Sequence, residues 1–188
     1  MFLGQSVIIS SEESQKFISF SEPYLKEAKL KNTTDHSSID NKNTKRVSYI
    51  HGLKVLPEQL DIVFDKEGNG KTFWNTLSNS VKNYSNFFLK NDTPIRMDVL
   101  KYPTGGFLFK HDDTYHEGLR LVGVGNLNEN YEGGLFKTDQ GNLNKGAGNV
   151  AWFYPNLQHE VTKVTKGERW SIVIWLFNEN LNIKKAVI

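Results

Sequence analysis

The chain has 188 residues, 38% of them hydrophobic and 23% charged, with a formal net charge of +2. That size and balance describe one ordinary globular domain, able to bury roughly two-thirds of its unfolded surface. The weak charge, spread along the chain, supplies no electrostatic footprint for nucleic acid. Cysteine is absent, which excludes disulfides and thiolate metal sites. A metal would have to be held by His, Asp or Glu, a donor set that suits iron, manganese or a catalytic zinc. No apolar run reaches the roughly 20 residues of a membrane span, so no membrane partner is expected. The opening MFLGQSVIISSEES has neither a basic n-region nor a long apolar core; no signal peptide is expected, and the expected location is cytoplasmic.

Up to about Lys90 the chain reads as helices and loops, a helical support region over residues 1–93. Ser10 and Glu13 have the spacing of a capping box. Phe17, Phe20, Tyr24 and Ala28 follow near helical spacing, with Pro23 expected to kink or end that helix. Residues 31–46 are almost wholly polar, Ile39 being the one large apolar residue. They predict a mobile loop or, alternatively, a lid that orders over substrate. Asp65-x-Glu67-x-Asn69-Gly70 imitates the start of a calcium loop, but its twelfth position is Thr76 and not the bidentate Glu such a loop needs. It predicts a turn. Phe73, Leu77, Val81, Tyr84 and Phe88 then form the apolar stripe of a second helix, packed on a sheet.

Beyond Pro94 the texture changes to short strands near 96–102, 107–112, 119–124, 149–153, 159–164 and 169–177. They are separated by the turn sequences PTGG, NENYEGG and DQGNLNKGAG. Many short strands so punctuated suggest a sandwich or barrel, a core over 94–178 with a tail at 179–188.

Two segments carry chemistry. In Phe109-Lys-His-Asp-Asp-Thr-Tyr-His116 the alternation of a strand would send His111 and Asp113 to one side and Asp112 to the other. One imidazole and one carboxylate could then grip one cation, and a third ligand from a distant strand would complete a facial triad with open coordination positions. His116 falls in a polar turn and is expected to be exposed. In the second segment His159 precedes Arg169 by ten residues across an expected hairpin. Arg169, Ser171, Val173 and Trp175 would share one strand face, and Trp170, Ile172, Ile174 and Leu176 the other. An inward Arg must find an anion, because an unpaired buried charge is costly; its planar fork suits a carboxylate, with a hydroxyl beside it. An exposed Arg at a hairpin end remains the alternative.

Tyr102-Pro-x-Gly-Gly-Phe-x-x-x-His111-x-Asp113, then Leu127-Asn128-x-x-Tyr131-Glu-Gly-Gly134, His159-x-Val and Gly167-x-Arg169-x-Ser171 together resemble the prolyl 4-hydroxylase-like family of Fe(II)/2-oxoglutarate-dependent oxygenases. The resemblance covers about 99–177. It implies a mainly β (α+β) fold: a double-stranded β-helix, or jelly-roll, core with N-terminal helices packed on one sheet. His111, Asp113 and His159 would be the iron ligands, with no catalytic residue needed beyond them. Arg169, assisted by Ser171, would bind the distal carboxylate of 2-oxoglutarate. Tyr102 and Trp175 would line the cosubstrate pocket, and Gly133 and Gly134 would sit where backbones turn closely. Asn126 departs from the family, which often has Tyr-Leu-Asn where this chain has Asn126-Leu127-Asn128; the cosubstrate contact of that tyrosine is lost or passes to Asn126. Gly134 also runs into Leu135-Phe136, whereas the family commonly continues Gly-Gly-Glu-Leu.

The resemblance implies a dioxygenase that takes Fe(II), 2-oxoglutarate and O2, with ascorbate as reductant, and hydroxylates an unactivated C–H bond. A proline in a flexible peptide or protein is the expected substrate, with Tyr102, Tyr115, Trp152 and Tyr154 as candidate aromatic walls. Three alternatives stay open: the same chemistry on a free amino acid, a nucleobase or another small molecule, a metal-binding jelly-roll protein without oxygenase activity, and a zinc hydrolase. The last needs a general base, for which Glu160 is the one nominee.

Overall fold

The computed structural model describes residues 1–27, 44–45, 47–49 and 95–178. Its elements, in chain order, are β1 (Phe2–Val7), α1 (Ser11–Glu27), β2 (Thr44–Lys45), β3 (Val47–Tyr49), β4 (Ile95–Tyr102), β5 (Phe107–His111) and β6 (Leu119–Asn126). There follow β7 (Glu132–Gly133), β8 (Phe136–Thr138), β9 (Gly141–Asn142), β10 (Asn149–Phe153), β11 (His159–Val161), β12 (Val164–Lys166) and β13 (Arg169–Phe177). The expected second helix over 73–88, the turn at 65–70, the tail and all of the polar stretch except β2 lie outside the described residues.

The strands form an antiparallel six-stranded sheet in the order β1-β10-β6-β13-β4-β3 and a five-stranded sheet in the order β2-β5-β11-β8-β9, with β12 and β7 as a separate pair. Neighbours in space are far apart in sequence, as in a double-stranded β-helix. Between the sheets lies one apolar cluster that includes Leu100, Tyr102, Leu108, Val122, Phe136, Phe153, Val161, Val173, Trp175 and Phe177. β13 is buried along its whole length. Val173, Trp175 and Phe177 join that cluster, whereas Trp170, Ile172, Ile174 and Leu176, of opposite parity, are buried outside it.

Helix α1 contacts β3 and β4 of the larger sheet. Its start is the expected capping box: Glu13 N donates to Ser10 Oγ at 3.1 Å, and Ser10 N donates to Glu13 Oε2 at 2.7 Å. The helix runs through Pro23 to Glu27 and does not stop there. No helix among the described residues is long and apolar enough to cross a membrane.

The first strand corrects the expectation of an N-terminal region built of helices and loops. β1 pairs with β10, from Phe2 opposite Phe153 to Val7 opposite Asn149. Its pattern is not alternating, since all but Val7 are half-buried, so period-2 hydrophobicity gave no warning of it. In β6 the glycines have a packing reason. A Cβ on Gly123 would stand 2.8 Å from the Trp152 ring, and one on Gly125 2.8 Å from Val150 Cγ2.

Candidate active site

β5 and β11 lie side by side, with His111 opposite His159 and Leu108 opposite Val161. Two steps along β11 thus match three along β5, which is a bulge. The extra residue lets Leu108 enter the core while His111, three residues later, meets His159 on the same sheet: their ring centroids are 4.2 Å apart. Phe109 and Lys110 are left outside, Phe109 being 51% exposed. Asp113 lies past the end of β5, so strand parity does not aim it. Its amide donates to the Pro155 carbonyl at 2.8 Å, which ties the loop after β5 to the loop before β11. Asp112 turns aside. Its Oδ1 accepts from Thr114 N and Oγ1, and its Oδ2 accepts from Gln158 Nε2 at 2.6 Å. The hydroxyl and amide of Thr114 hold the Asp112 carboxyl below the ordinary aspartate range.

The ligand atoms of His111, Asp113 and His159 all lie within 4.8 Å of one another. His111 Nδ1 is 2.8 Å from the Phe109 carbonyl and His159 Nδ1 is 2.9 Å from the Leu157 carbonyl. A carbonyl can only accept, so each Nδ1 carries the proton and each Nε2 presents a lone pair. These Nε2 atoms face the Asp113 carboxylate at 3.7 and 3.6 Å, beyond hydrogen-bond reach. Three electron-pair donors thus converge on one point with both imidazoles locked by backbone partners, the arrangement that a divalent cation requires. Ligand atoms about 2.1 Å from a shared ion can stand up to about 4.2 Å apart, which admits both separations. Nitrogen and oxygen donors in a two-His, one-carboxylate set fit Fe(II). Phe136 and Phe153 pack on the His159 ring at 5.4 and 4.9 Å, and Asp113 and His159 are buried.

Arg169 opens β13 opposite Tyr102 of β4 and is 1% exposed. Its Cζ stands 5.2 Å from the Tyr102 ring centre, and its Nη2 donates to Asn126 Oδ1 at 3.0 Å. Nε has no hydrogen-bond partner, and among the described residues no carboxylate pairs with the guanidinium. A buried cation so arranged is suited to an anionic partner. Asn126 meets Arg169 directly. The Ser171 hydroxyl donates to the Gly125 carbonyl at 2.8 Å, leaving its oxygen able only to accept further. Trp175 is buried on the inward face and meets His116 edge-on at 4.6 Å. His116 is therefore a buried packing partner, contrary to its expected exposure, because the turn after Asp113 folds back over β13. Gly133 and Gly134 have φ of 71° and 57°, the left-handed region that favours glycine. A Cβ on Gly134 would stand 2.9 Å from Val164 Cγ2 and 3.1 Å from Arg169 Cδ.

Of the four candidate aromatic walls, Tyr102 and Trp152 are buried and only Tyr115 and Tyr154 remain exposed. Both sit on the loops tied by Asp113 and Pro155. Sequence reasoning missed Gln158, Asn144 and Gln5, whose roles depend on contacts between segments up to 139 residues apart; a polar residue in a strand or loop carries no local signal of such a partner.

Residues 97–177 match the 2OG-Fe(II) oxygenase superfamily. No curated protein matches the chain by sequence. Among solved structures, a prolyl-4-hydroxylase from Pseudomonas putida superposes with a TM-score of 0.64 at 15% identity, covering 93% of this chain and 91% of that one. A prolyl hydroxylase from Trichoplax adhaerens, in complex with a hypoxia inducible factor oxygen degradation domain peptide fragment, gives 0.64 at 18% identity, covering 95% and 81%. The viral collagen prolyl hydroxylase of Paramecium Bursaria Chlorella virus-1, in its 2OG complex, gives 0.60 at 12% identity, covering 92% and 94%. The matched segment runs from β4 to β13, and that superfamily implies Fe(II) and 2-oxoglutarate, which the His111, Asp113 and His159 donor set fits. The fold is prolyl 4-hydroxylase-like.

Proposed function

We propose that this enzyme hydroxylates a proline residue in a flexible peptide or protein segment, with iron held by His111, Asp113 and His159 and the distal carboxylate of 2-oxoglutarate held by Arg169. One observation carries the site assignment: two Nε2 lone pairs and a buried carboxylate converge while a buried guanidinium in the same domain has no anionic partner among the described residues. With Fe(II), 2-oxoglutarate and O2 bound, the chemistry supplied is insertion of one oxygen atom into an unactivated C–H bond, 2-oxoglutarate leaving as succinate and CO2.

The chain's own residues orient and exclude. The Phe109 and Leu157 carbonyls keep the Nδ1 protons in place, so that neither imidazole is free to rotate its lone pair away. Asp113 adds the negative charge, leaving a net single positive charge on a divalent centre. Arg169 takes the distal carboxylate through charge-assisted hydrogen bonds, and Tyr102 lies against its planar face. Val173, Trp175 and the phenylalanines around His159 keep water from the buried side. Ascorbate is the proposed reductant that returns iron to Fe(II).

For the substrate, support comes from the prolyl hydroxylase neighbours, one of them bound to a peptide fragment. Tyr115 and Tyr154, exposed on the two loops joined at Asp113, offer flat apolar surfaces to a proline ring, which brings no donor of its own. Incubating proline-containing peptides and free amino acids with enzyme, Fe(II), ascorbate and 2-oxoglutarate, then weighing products by mass spectrometry, tests this. One added oxygen on peptidyl proline is expected. Hydroxylation of free amino acids with every peptide untouched would overturn the substrate and leave the cosubstrate assignment standing.

A further inference from the structure

The hydrogen bonds behind Arg169 lead out of the 97–177 segment to the N-terminal strand. Asn126 is 3% exposed and Arg169 1%. Asn126 Oδ1 accepts from Arg169 Nη2 at 3.0 Å, and Asn126 Nδ2 donates to the Asn144 carbonyl at 3.1 Å. A guanidinium can only donate and a carbonyl can only accept, so this buried amide has one permitted orientation. Remove the Asn144 carbonyl and only the bond from Arg169 still holds the amide in that orientation, with its NH2 left unanchored.

Asn144 is held in turn. Its amide donates to Gln5 Oε1 at 2.7 Å, while Gln5 Nε2 donates to the Asn142 carbonyl at 3.3 Å. The Gln5 side chain thus behaves like a strand neighbour toward residues 142–144, at the edge of the smaller sheet. Gln5 itself is fixed by its place on β1, opposite Ala151 of β10, and Phe2 N adds a second tether by donating to Gln140 Oε1 at 2.9 Å.

We propose that Asn126 is a positioning residue for Arg169 and that strand β1, through Gln5 and residues 142–144, sets the affinity of the enzyme for its dicarboxylate cosubstrate. This rests on the reading that Arg169 takes the distal carboxylate. The neutral acceptor is what the site requires. A carboxylate at position 126 would neutralise Arg169 inside the protein, whereas an amide orients the guanidinium and leaves its charge for the ligand.

The test is calorimetric titration of Zn(II)-loaded protein, which does not turn over. One ligand is 2-oxoglutarate and the other 2-oxobutyrate, which keeps the 2-oxo acid end and lacks the distal carboxylate. Asn126→Ala should raise the 2-oxoglutarate Kd about tenfold and Gln5→Ala about threefold to tenfold. Asn126→Asp should raise it further. Gln5→Glu keeps the acceptor for Asn144 N and should stay within about twofold of wild type. Bound zinc and the 2-oxobutyrate Kd should not change in any of them. Gln5→Met, which fills the space without the amide, repeats the comparison if Gln5→Ala does not fold. An unchanged 2-oxoglutarate Kd in Asn126→Ala and the Gln5 variants, with Arg169→Ala impaired, overturns the relay alone. Equal losses for both ligands, or loss of zinc, also overturn it, since they reveal general disruption. Wild-type 2-oxoglutarate affinity in Arg169→Ala removes the assignment of Arg169 and the relay with it.

Discussion

Arg169→Met separates what this residue does for stability from what it does for function. The guanidinium is 1% exposed, has one hydrogen bond to a neutral amide at 3.0 Å, and lies 5.2 Å from an aromatic face. Burying such a charge costs several kcal/mol. The amide bond returns about 1.5–3 kcal/mol and the ring up to about 2 kcal/mol. Methionine would relieve the desolvation and fill much of the volume, but would leave Asn126 Oδ1 without its donor, at about 1–3 kcal/mol. These opposing amounts nearly cancel, so ligand-free Arg169→Met should stay within about 2 kcal/mol of wild type, or about 4–8 °C in Tm for a chain of this size. The contrast appears with ligand. At a 2-oxoglutarate concentration 100 times its Kd, zinc-loaded wild type should gain about 2.7 kcal/mol, which is about 5–10 °C, and the variant should gain nothing. Differential scanning calorimetry reads both quantities. A ligand-free variant melting more than about 15 °C below wild type would make Arg169 a structural residue, and a full ligand shift in the variant would place the cosubstrate elsewhere.

Four further outcomes follow from the same geometry. His111→Ala, Asp113→Ala and His159→Ala should each abolish iron binding and turnover, while Asp112→Asn, whose carboxylate faces Thr114 and Gln158, should keep both; iron quantitation on the purified variants decides. Gly134→Ala should lose about 2–4 kcal/mol from its left-handed φ and from crowding Val164 and Arg169, and should weaken 2-oxoglutarate binding. Gly133→Ala should lose more stability in denaturant unfolding, because its Cβ would meet the Lys163 carbonyl of the backbone. Asp112 should titrate below an ordinary aspartate in carboxyl NMR of metal-free protein, and Thr114→Val should raise it. Its depressed folded-state pKa means a stabilising contribution present above the unfolded value of about 3.9 and lost as pH falls through the folded value.

Much of the catalytic core could be read from residue patterns. The span from Arg169 to Phe177 announces its two faces by parity, and both faces are buried as that parity requires. The glycine pair at 133–134 marks a close backbone turn, and the φ values show one. Where the reasoning fell short, long-range packing decided. Parity placed His111 and Asp113 together, yet the actual devices are a bulge at 109–110 and the bond from Asp113 N to the Pro155 carbonyl. Neither has a sequence signature. His116 reads as a residue of a polar turn, and only its ring contact with Trp175 reveals that the turn folds inward. β1 lacks alternation because it borders both the larger sheet and the edge of the smaller one, which leaves its residues half-buried on both sides.

The most direct measurement of the central claim follows oxygen. Iron-loaded enzyme is supplied with 2-oxoglutarate, ascorbate and proline-containing peptides under an ¹⁸O₂ atmosphere, and succinate and peptide are weighed by mass spectrometry. One labelled atom should enter succinate and one the peptide, in equal amounts, and both should vanish in His111→Ala, Asp113→Ala and His159→Ala. Iron-loaded protein that binds 2-oxoglutarate but yields no labelled succinate, or labelling that persists without the three ligands, would contradict the account.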